Sequence, residues 1–222
     1  MNPIDYIVPI FAMDETPAIS FFLGTGTFIG ERPLLVTAYH VVKEWPGTFA
    51  ITFMGDITRL YKANLLVSDE DTDLAILEVL GCTVQNAIQL EENDIHPNQQ
   101  VVCFEYGTTR TAGRAINLSP ATRLGNVTRL VNLVDRFGKA GENALELSFP
   151  ALRGASGAPV LSNNSFRLWG IIIANVEYHL LPAQIESVHD EKNNILEEKR
   201  YLLPQALAVH VYHVKNLISR LK

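Results

Sequence analysis

Short apolar runs rich in β-branched and aromatic residues recur along the N-terminal third of the chain, each closed by Gly, Pro or Asp. ISFFLGTGTFIG, PLLVTAYHVV, TFAITFMG, TRLYKANLLVS and DLAILEVL follow in turn, a pattern that predicts strands separated by tight turns. Residues 83–98 interrupt it: they are polar, contain EEND and Pro97, and read as a crossover. A second set follows in QVVCFEYG, NLSPATRLGNVTRLVNLVD, ALELSFP, APVLS, RLWGIIIANVEY and QALAVHV. Evenly spaced strands without intervening helical patterns predict an all-β barrel or sandwich and argue against βαβ units. A helical period emerges only at the end. Val214, Leu217, Ile218 and Leu221 fall on one face of a short amphipathic helix, expected to pack on the strands, with a partner-binding helix as the lesser reading. The longest polar insertion, 179–204, has apolar flanks around DEKNN and predicts a long hairpin or lobe. Such a segment is either a solvated loop or a lid or partner surface beside a cleft.

Composition narrows the class. With 222 residues, 47% hydrophobic and 19% charged, the chain has enough apolar material for a sizeable core. A net charge of −6 with no block of Lys or Arg argues against electrostatic binding to nucleic acid or an anionic membrane. No run approaches the roughly 18 apolar residues of a membrane span. MNPIDYIVPIFAMDETP lacks the basic start of a secretory signal, so the expected compartment is the cytoplasm. Cys82 and Cys103 are then expected as buried free thiols, although a disulfide between them is open in principle.

Three segments carry chemistry. His40 lies in LLVTAYHVV, Asp73 opens DLAILEV, and Ser156 lies in GASGAPV. In that order they supply a general base, an orienting carboxylate and a nucleophile. A hydroxyl attacks poorly at neutral pH unless a base takes its proton, and the base needs an acceptor that fixes its tautomer. Gly154, lacking a Cβ, can aim its N–H together with that of Ser156 at a developing oxyanion. Each segment alone is ordinary: Gly-x-Ser-Gly occurs in many turns, and single His and Asp residues satisfy backbone groups. Their joint occurrence in this order is what discriminates.

The chain resembles the trypsin-like, chymotrypsin-fold serine proteases, and most of all the bacterial high-temperature-requirement type. GTGTFI at 24–29, PLLVTAYHVV, VSDEDTDLAILEV, LEENDIHPNQQVVCFEYG, LWGIIIANVEY and ALAVHVYHVKNLISRL each resemble a segment of that family. The resemblance implies one protease domain over 1–222. It would hold an N-terminal barrel (1–88), a linker (89–98), a C-terminal barrel (99–211) and a C-terminal helix (212–222). Both barrels would be six-stranded and antiparallel, with the site in the cleft between them. The implied activity is a serine endopeptidase acting through His40, Asp73 and Ser156, with Gly154 and Ser156 as the oxyanion hole.

The resemblance also implies a specificity pocket, with Pro150 at its floor, Ile172, Ile173, Ala174 and Asn175 along one wall, and Ala206 and Ala208 on the closing strand. Ala151 belongs to the same segment, and Arg153 stands at the rim. Small apolar walls without a carboxylate favour aliphatic or medium-sized uncharged side chains, unless Arg153 reaches in and favours an acidic one. Ala155 replaces an aspartate that in secreted relatives pairs with a newly cut N-terminus, so activation by N-terminal processing is not expected. Partners are a protein or peptide substrate, with a regulatory protein or additional domain as a further possibility.

Other clusters give weaker readings. His96, His179, His189, His210 and His213 lack metal-ligand spacing with a carboxylate pair, so no metal is expected. Glu142 with Glu146, and Asp69, Glu70 and Asp71, read as solvated acids. GTGTFIG does not lead a strand into a helix with dinucleotide spacing, so no cofactor is expected. The alternative to an enzyme is a protease-fold module that holds a peptide without cutting it. A lipase or esterase would carry its triad in the order Ser, Asp, His.

Overall fold

Six strands from the first part of the chain close on themselves. They are β1 (Ile7–Met13), β2 (Ile19–Ile29), β3 (Leu34–Ala38), β4 (Thr48–Phe53), β5 (Asp56–Asp69) and β6 (Leu74–Val79), in barrel order β1-β2-β3-β6-β5-β4. A second antiparallel barrel follows, built from β7 (Gln100–Arg110), β8 (Ile116–Val134), β9 (Ala140–Leu147), β10 (Pro159–Ser162) and β11 (Leu168–His179). Between β11 and its last strand lie β12 (Gln184–Asp190) and β13 (Asn193–Lys199), and β14 (Leu202–His210) completes the order β10-β11-β14-β9-β8-β7. Two helices accompany the strands, α1 (Tyr39–Val42) and α2 (Val211–Ser219). The structure is a computed structural model; it describes residues 2, 5–13, 19–30, 32–84, 87–110, 116–134, 140–179, 184–190, 193–199 and 202–221.

The fold is the all-β, two-barrel arrangement expected, with three differences. Strand β1 was not read from the sequence, because Pro9 interrupts IVPIFAM and a proline normally demotes a strand. Here β1 pairs with β2 from Ile7 onward but with β4 only from Ile10 onward, so Pro9 precedes the doubly paired segment. Secondly, the histidine segment is not one continuous strand. Pairing of β3 with β6 ends at Ala38↔Leu74, and the chain turns into α1, which carries His40. Thirdly, the 83–98 crossover is less detached than its polarity suggested. Ile88 bridges to Ile29, Leu90 bridges to Leu168, and Ile88 and Ile95 are buried. Glu91 is buried too, its carboxylate accepting hydrogen bonds from Trp169 Nε1 at 3.1 Å and from the Glu92 N–H at 2.9 Å. The crossover is therefore stitched to both barrels.

Apolar side chains fill each barrel. Phe28, Leu35, Ile51, Ile76 and Leu77 are fully buried in the first, and Leu145, Val160, Leu161 and Ile171 in the second. Each such side chain contributes about 1.5–3 kcal/mol relative to exposure. The amphipathic face of α2 is as the period predicted, with Val214 and Leu217 buried. Its last turn reaches the first barrel, where Arg220 Nη2 pairs with Asp69 Oδ2 at 2.8 Å. The 179–204 insertion contains a hairpin, β12 against β13 in register Gln184↔Lys199 to Asp190↔Asn193; residues 180–183, 191–192 and 200–201 lie outside the described residues. Cys82 and Cys103 are free thiols, Cys103 buried as expected but Cys82 only partly so. Among the described residues no helix is long and apolar enough to cross a membrane.

Candidate active site

The turn between β5 and β6 delivers Asp73 in an unusual backbone state, with φ at +53°. Asp is one of the few non-glycine residues that tolerates this region. The turn is built by Asp69, whose Oδ1 accepts the N–H groups of Asp71 at 3.1 Å and Thr72 at 3.3 Å. Burial would raise the Asp69 pKa, but the Arg220 hydrogen bond and charge, with those two N–H groups, pull it below the usual aspartate value. Asp73 then grips α1 at three points. Its carbonyl accepts the Tyr39 N–H at 2.9 Å, Oδ1 accepts the His40 N–H at 2.8 Å, and Oδ2 lies 2.6 Å from His40 Nδ1. These backbone bonds end the β3 strand and fix where the imidazole stands.

On its other edge, His40 Nε2 lies 2.8 Å from Ser156 Oγ. The tautomer follows from chemistry. An ionised carboxylate only accepts, so Nδ1 carries the proton and the bare Nε2 accepts from the Ser156 hydroxyl. Side chains from two barrels thus form one hydrogen-bonded chain, Asp73–His40–Ser156. His40 and Asp73 keep side-chain exposures of 36% and 27%, so a molecule in the cleft can reach the base.

The segment before Ser156 has its own geometry. Gly154 has φ at +100° and Gly157 φ at +87°, both outside the range of ordinary side chains. Ala155 donates its N–H to the Leu152 carbonyl at 2.9 Å, and Ala158 donates to the Ala155 carbonyl at 2.8 Å. Among the described residues, the N–H groups of Gly154 and Ser156 donate no backbone hydrogen bond. Those two donors are the pair the sequence singled out for an oxyanion.

Two threonine hydroxyls that the sequence reading missed, those of Thr25 and Thr27, join this loop to the first barrel, and a third, that of Thr37, braces Thr25 from within that barrel. Thr25 Oγ1 donates to the Gly154 carbonyl at 2.8 Å and accepts the Tyr106 N–H at 3.1 Å. The Thr25 N–H donates to the Ser156 carbonyl at 2.9 Å, and Thr37 Oγ1 donates to the Thr25 carbonyl at 2.8 Å. Thr27 Oγ1 reaches the Gly157 carbonyl at 3.5 Å. All three threonines are fully buried. The signal was present in GTGTFI and LLVTA, where a polar residue alternates into positions that a core would fill with Val.

The residues assigned to the pocket divide into two groups. Pro150, Arg153, Ala174 and Asn175 are exposed, and Ala151 and Ile173 are half-buried. Ile172, Ala206 and Ala208 are buried. Ile172 acts through its backbone, accepting the Gly157 N–H at 2.8 Å and donating to the Ala158 carbonyl at 2.9 Å. Asn175 is also committed. Its Oδ1 accepts the Ala151 N–H and its Nδ2 donates to the Ala151 carbonyl, both at 2.8 Å.

Among the described residues no group of three or more His, Cys, Asp or Glu could hold a metal ion. His210 instead caps α2, its Nδ1 accepting the Tyr212 N–H at 3.1 Å. His189 and His179 lie in β12 and β11, and nothing is described of their side chains.

With this geometry in place, the family model of the trypsin-like peptidase domain matches residues 24–171, from the glycine of β2 through Ser156 into β11. The chain belongs to the trypsin-like peptidase family. The magnetosome formation protease MamE of Paramagnetospirillum magneticum is 28% identical over 161 residues, covering 71% of this chain. The match takes in 20% of MamE, so the chain spans only about a fifth of that relative's length. Two solved structures share the fold. The serine endoprotease from Yersinia pestis superposes with a TM-score of 0.62 at 16% identity, covering 99% of this chain and 63% of that one. The apo MamO protease domain from Magnetospirillum magneticum gives 0.63 at 17% identity, with 96% of each chain covered.

Proposed function

We propose that this trypsin-like peptidase domain is an active serine endopeptidase that cleaves peptide bonds by acyl transfer. The observation that carries the reading is the unbroken hydrogen-bonded chain from Asp73 through His40 to Ser156, at 2.6 and 2.8 Å. In this reading Ser156 Oγ attacks the scissile carbonyl as its proton passes to His40 Nε2. The imidazolium, stabilised by Asp73, returns that proton to the leaving amine and frees the acyl-enzyme. Water then repeats the sequence with His40 as base, releasing the acid and restoring Ser156. The N–H groups of Gly154 and Ser156 stabilise the oxyanion in both halves, each donor contributing about 3–4 kcal/mol in comparable sites.

The substrate is a protein or peptide with an aliphatic or medium-sized uncharged residue before the cleaved bond. Among the residues assigned to the pocket there is no carboxylate to select Lys or Arg. A peptide-library profile dominated by Arg, Lys, Asp or Glu at that position would overturn the preference.

A fluorophosphonate probe tests the activity itself. Wild type should be labelled at one site, and labelling should vanish in Ser156→Ala while the fold persists. Absence of labelling in wild type, under conditions that label a control protease, would leave a peptide-binding module as the better reading.

A further inference from the structure

Two glycines leave the turn around the nucleophile unable to hold its own shape. Gly154 and Gly157 both have positive φ, and glycine takes either sign of φ about equally well. The turn therefore depends on hydrogen bonds from other segments. Such bonds fix whole peptide planes, because a planar peptide carries its C=O and the next N–H together. In the plane joining Gly154 to Ala155, the N–H donates to the Leu152 carbonyl at 2.9 Å and the C=O accepts from Thr25 Oγ1 at 2.8 Å. In the plane joining Ser156 to Gly157, the N–H donates to the Ile172 carbonyl at 2.8 Å and the C=O accepts from the Thr25 N–H at 2.9 Å. Each plane is gripped at both edges, and a single residue of the first barrel holds one edge of each. The Ser156 N–H lies in the plane between them.

Thr25 is available for this because β2 has already left its neighbour. The β2–β3 pairs run only from Thr27 to Ile29, and β3 ends at Ala38. Thr25 lies beyond that ladder. Its N–H goes to Ser156, and its C=O accepts from Thr37 Oγ1 at 2.8 Å. The hydroxyl is equally determined. The Tyr106 N–H, 3.1 Å away, can only donate to it, so the one hydroxyl proton of Thr25 goes to the Gly154 carbonyl. Tyr106 is itself a fixed point. Its hydroxyl donates to the Ile7 carbonyl at 3.0 Å, and the adjacent Glu105 pairs with Arg123 on β8 at 2.9 Å. Valine has the shape of threonine but would turn a methyl to the Gly154 carbonyl and the Tyr106 N–H.

We propose that Thr25 is a positioning residue, whose hydroxyl and N–H together lock the 154–157 turn in the form that leaves the Gly154 and Ser156 N–H groups open to an oxyanion. The catalytic consequence rests on the serine-endopeptidase reading; the geometry of the turn is tested apart from it.

Thr25→Val removes the hydroxyl and keeps the β-branched shape, whereas Thr25→Ser keeps the hydroxyl and loses the methyl. Thr52→Val is the control, since Thr52 is a buried threonine of the same barrel whose hydroxyl donates within the β4–β5 hairpin, to the Arg59 carbonyl at 3.0 Å. Amide exchange resolved by NMR should speed up about tenfold or more at Ala155 in Thr25→Val. It should rise less at Gly157, whose plane keeps the Thr25 N–H, stay near wild type in Thr25→Ser, and not move in Thr52→Val. With active sites counted by fluorophosphonate titration, kcat of Thr25→Val should fall about 10–100-fold while KM stays within about threefold, because oxyanion bonds strengthen as charge develops. The ascending limb of its pH profile should match wild type, since none of these bonds touches His40.

Unchanged exchange at Ala155 in Thr25→Val would overturn the proposal whatever the activity. An equal rise along β2 and β7 would do the same, since it marks general loosening. So would a Thr25→Ser protein as impaired as Thr25→Val, which would assign the role to the methyl. Should Thr25→Val not fold, Thr25→Ala takes its place with the same expected and refuting results. A wild type that ignores the fluorophosphonate, alongside a turn loosened in Thr25→Val, would refute the peptidase reading and leave the positioning of the turn standing.

Discussion

Replacing Gly157 with alanine should move the nucleophile away from its base without altering any side chain of the triad itself. Gly157 follows Ser156 at φ +87° and lies where the two barrels touch. A Cβ there would enter the space of the Thr25 carbonyl oxygen and of Thr37 Oγ1, neither of which is a flexible tip. The Thr25 carbonyl is backbone and already accepts from Thr37 Oγ1, while the Thr25 N–H holds the Ser156 carbonyl.

Relief therefore requires the turn to retreat by about 1 Å or more, enough to cost roughly 100-fold in a near-attack arrangement. The 2.8 Å contact between Ser156 Oγ and His40 Nε2 cannot survive that movement. Stability falls as well: the positive φ costs about 1–2 kcal/mol and the overpacking about 1–3 kcal/mol. For a chain of this size that corresponds to a melting temperature lower by roughly 5–15 °C. The assay pairs the second-order rate of fluorophosphonate labelling with a thermal melt. Gly55→Ala is the control, because a Cβ there meets nothing within 4 Å. A Gly157→Ala protein that labels within threefold of wild type and melts within about 2 °C of it would refute the reasoning.

Other consequences are as direct. Asp73→Asn keeps an oxygen for the His40 N–H but offers an amide to Nδ1, favouring the wrong tautomer; kcat/KM should fall by about 10⁴ with little change in melting temperature, and a loss under tenfold would contradict the assigned roles. Asn175→Ala removes both hydrogen bonds to Ala151, so KM for a peptide substrate should rise by about tenfold with kcat less affected; an unchanged KM would show that this clamp does not shape the cleft. Burial lowers the pKa of His213 against the opposing charge of Asp69, and Asp69 itself is lowered. Both groups bind fewer protons folded than unfolded, so their contributions are present above their unfolded values of 6.5 and 3.8 and are lost as pH falls below each. Melting temperature should thus decline as pH drops below about 6.5, and His213→Gln should flatten that first part of the slope; an unaltered slope would exclude His213.

The chain by itself determined the strand-rich class, the C-terminal helix and the three chemical residues. The reason is that each is written in local pattern: β-branched runs punctuated by turn residues, a 3.6-residue period, and short motifs in a fixed order. It did not reveal β1, where a proline inside an apolar run conceals a strand whose pairing is set by two distant partners.

Only the tertiary structure decided that His40 stands on a helical turn, since that turn is created by hydrogen bonds to Asp73, a residue far along the chain. The same holds for Thr25, Thr37, Asn175 and Glu105. Threonine in a strand, asparagine near a loop and glutamate beside a tyrosine are unremarkable as letters. Their meaning arises only in the folded chain, because a hydroxyl, amide or carboxylate finds its hydrogen-bond partner in a segment that is distant in sequence. The burial of Ile172, Ala206 and Ala208 was likewise decided only in the fold, because solvent exposure depends on which face of the closed sheet each side chain takes, and closure is a property of the whole barrel.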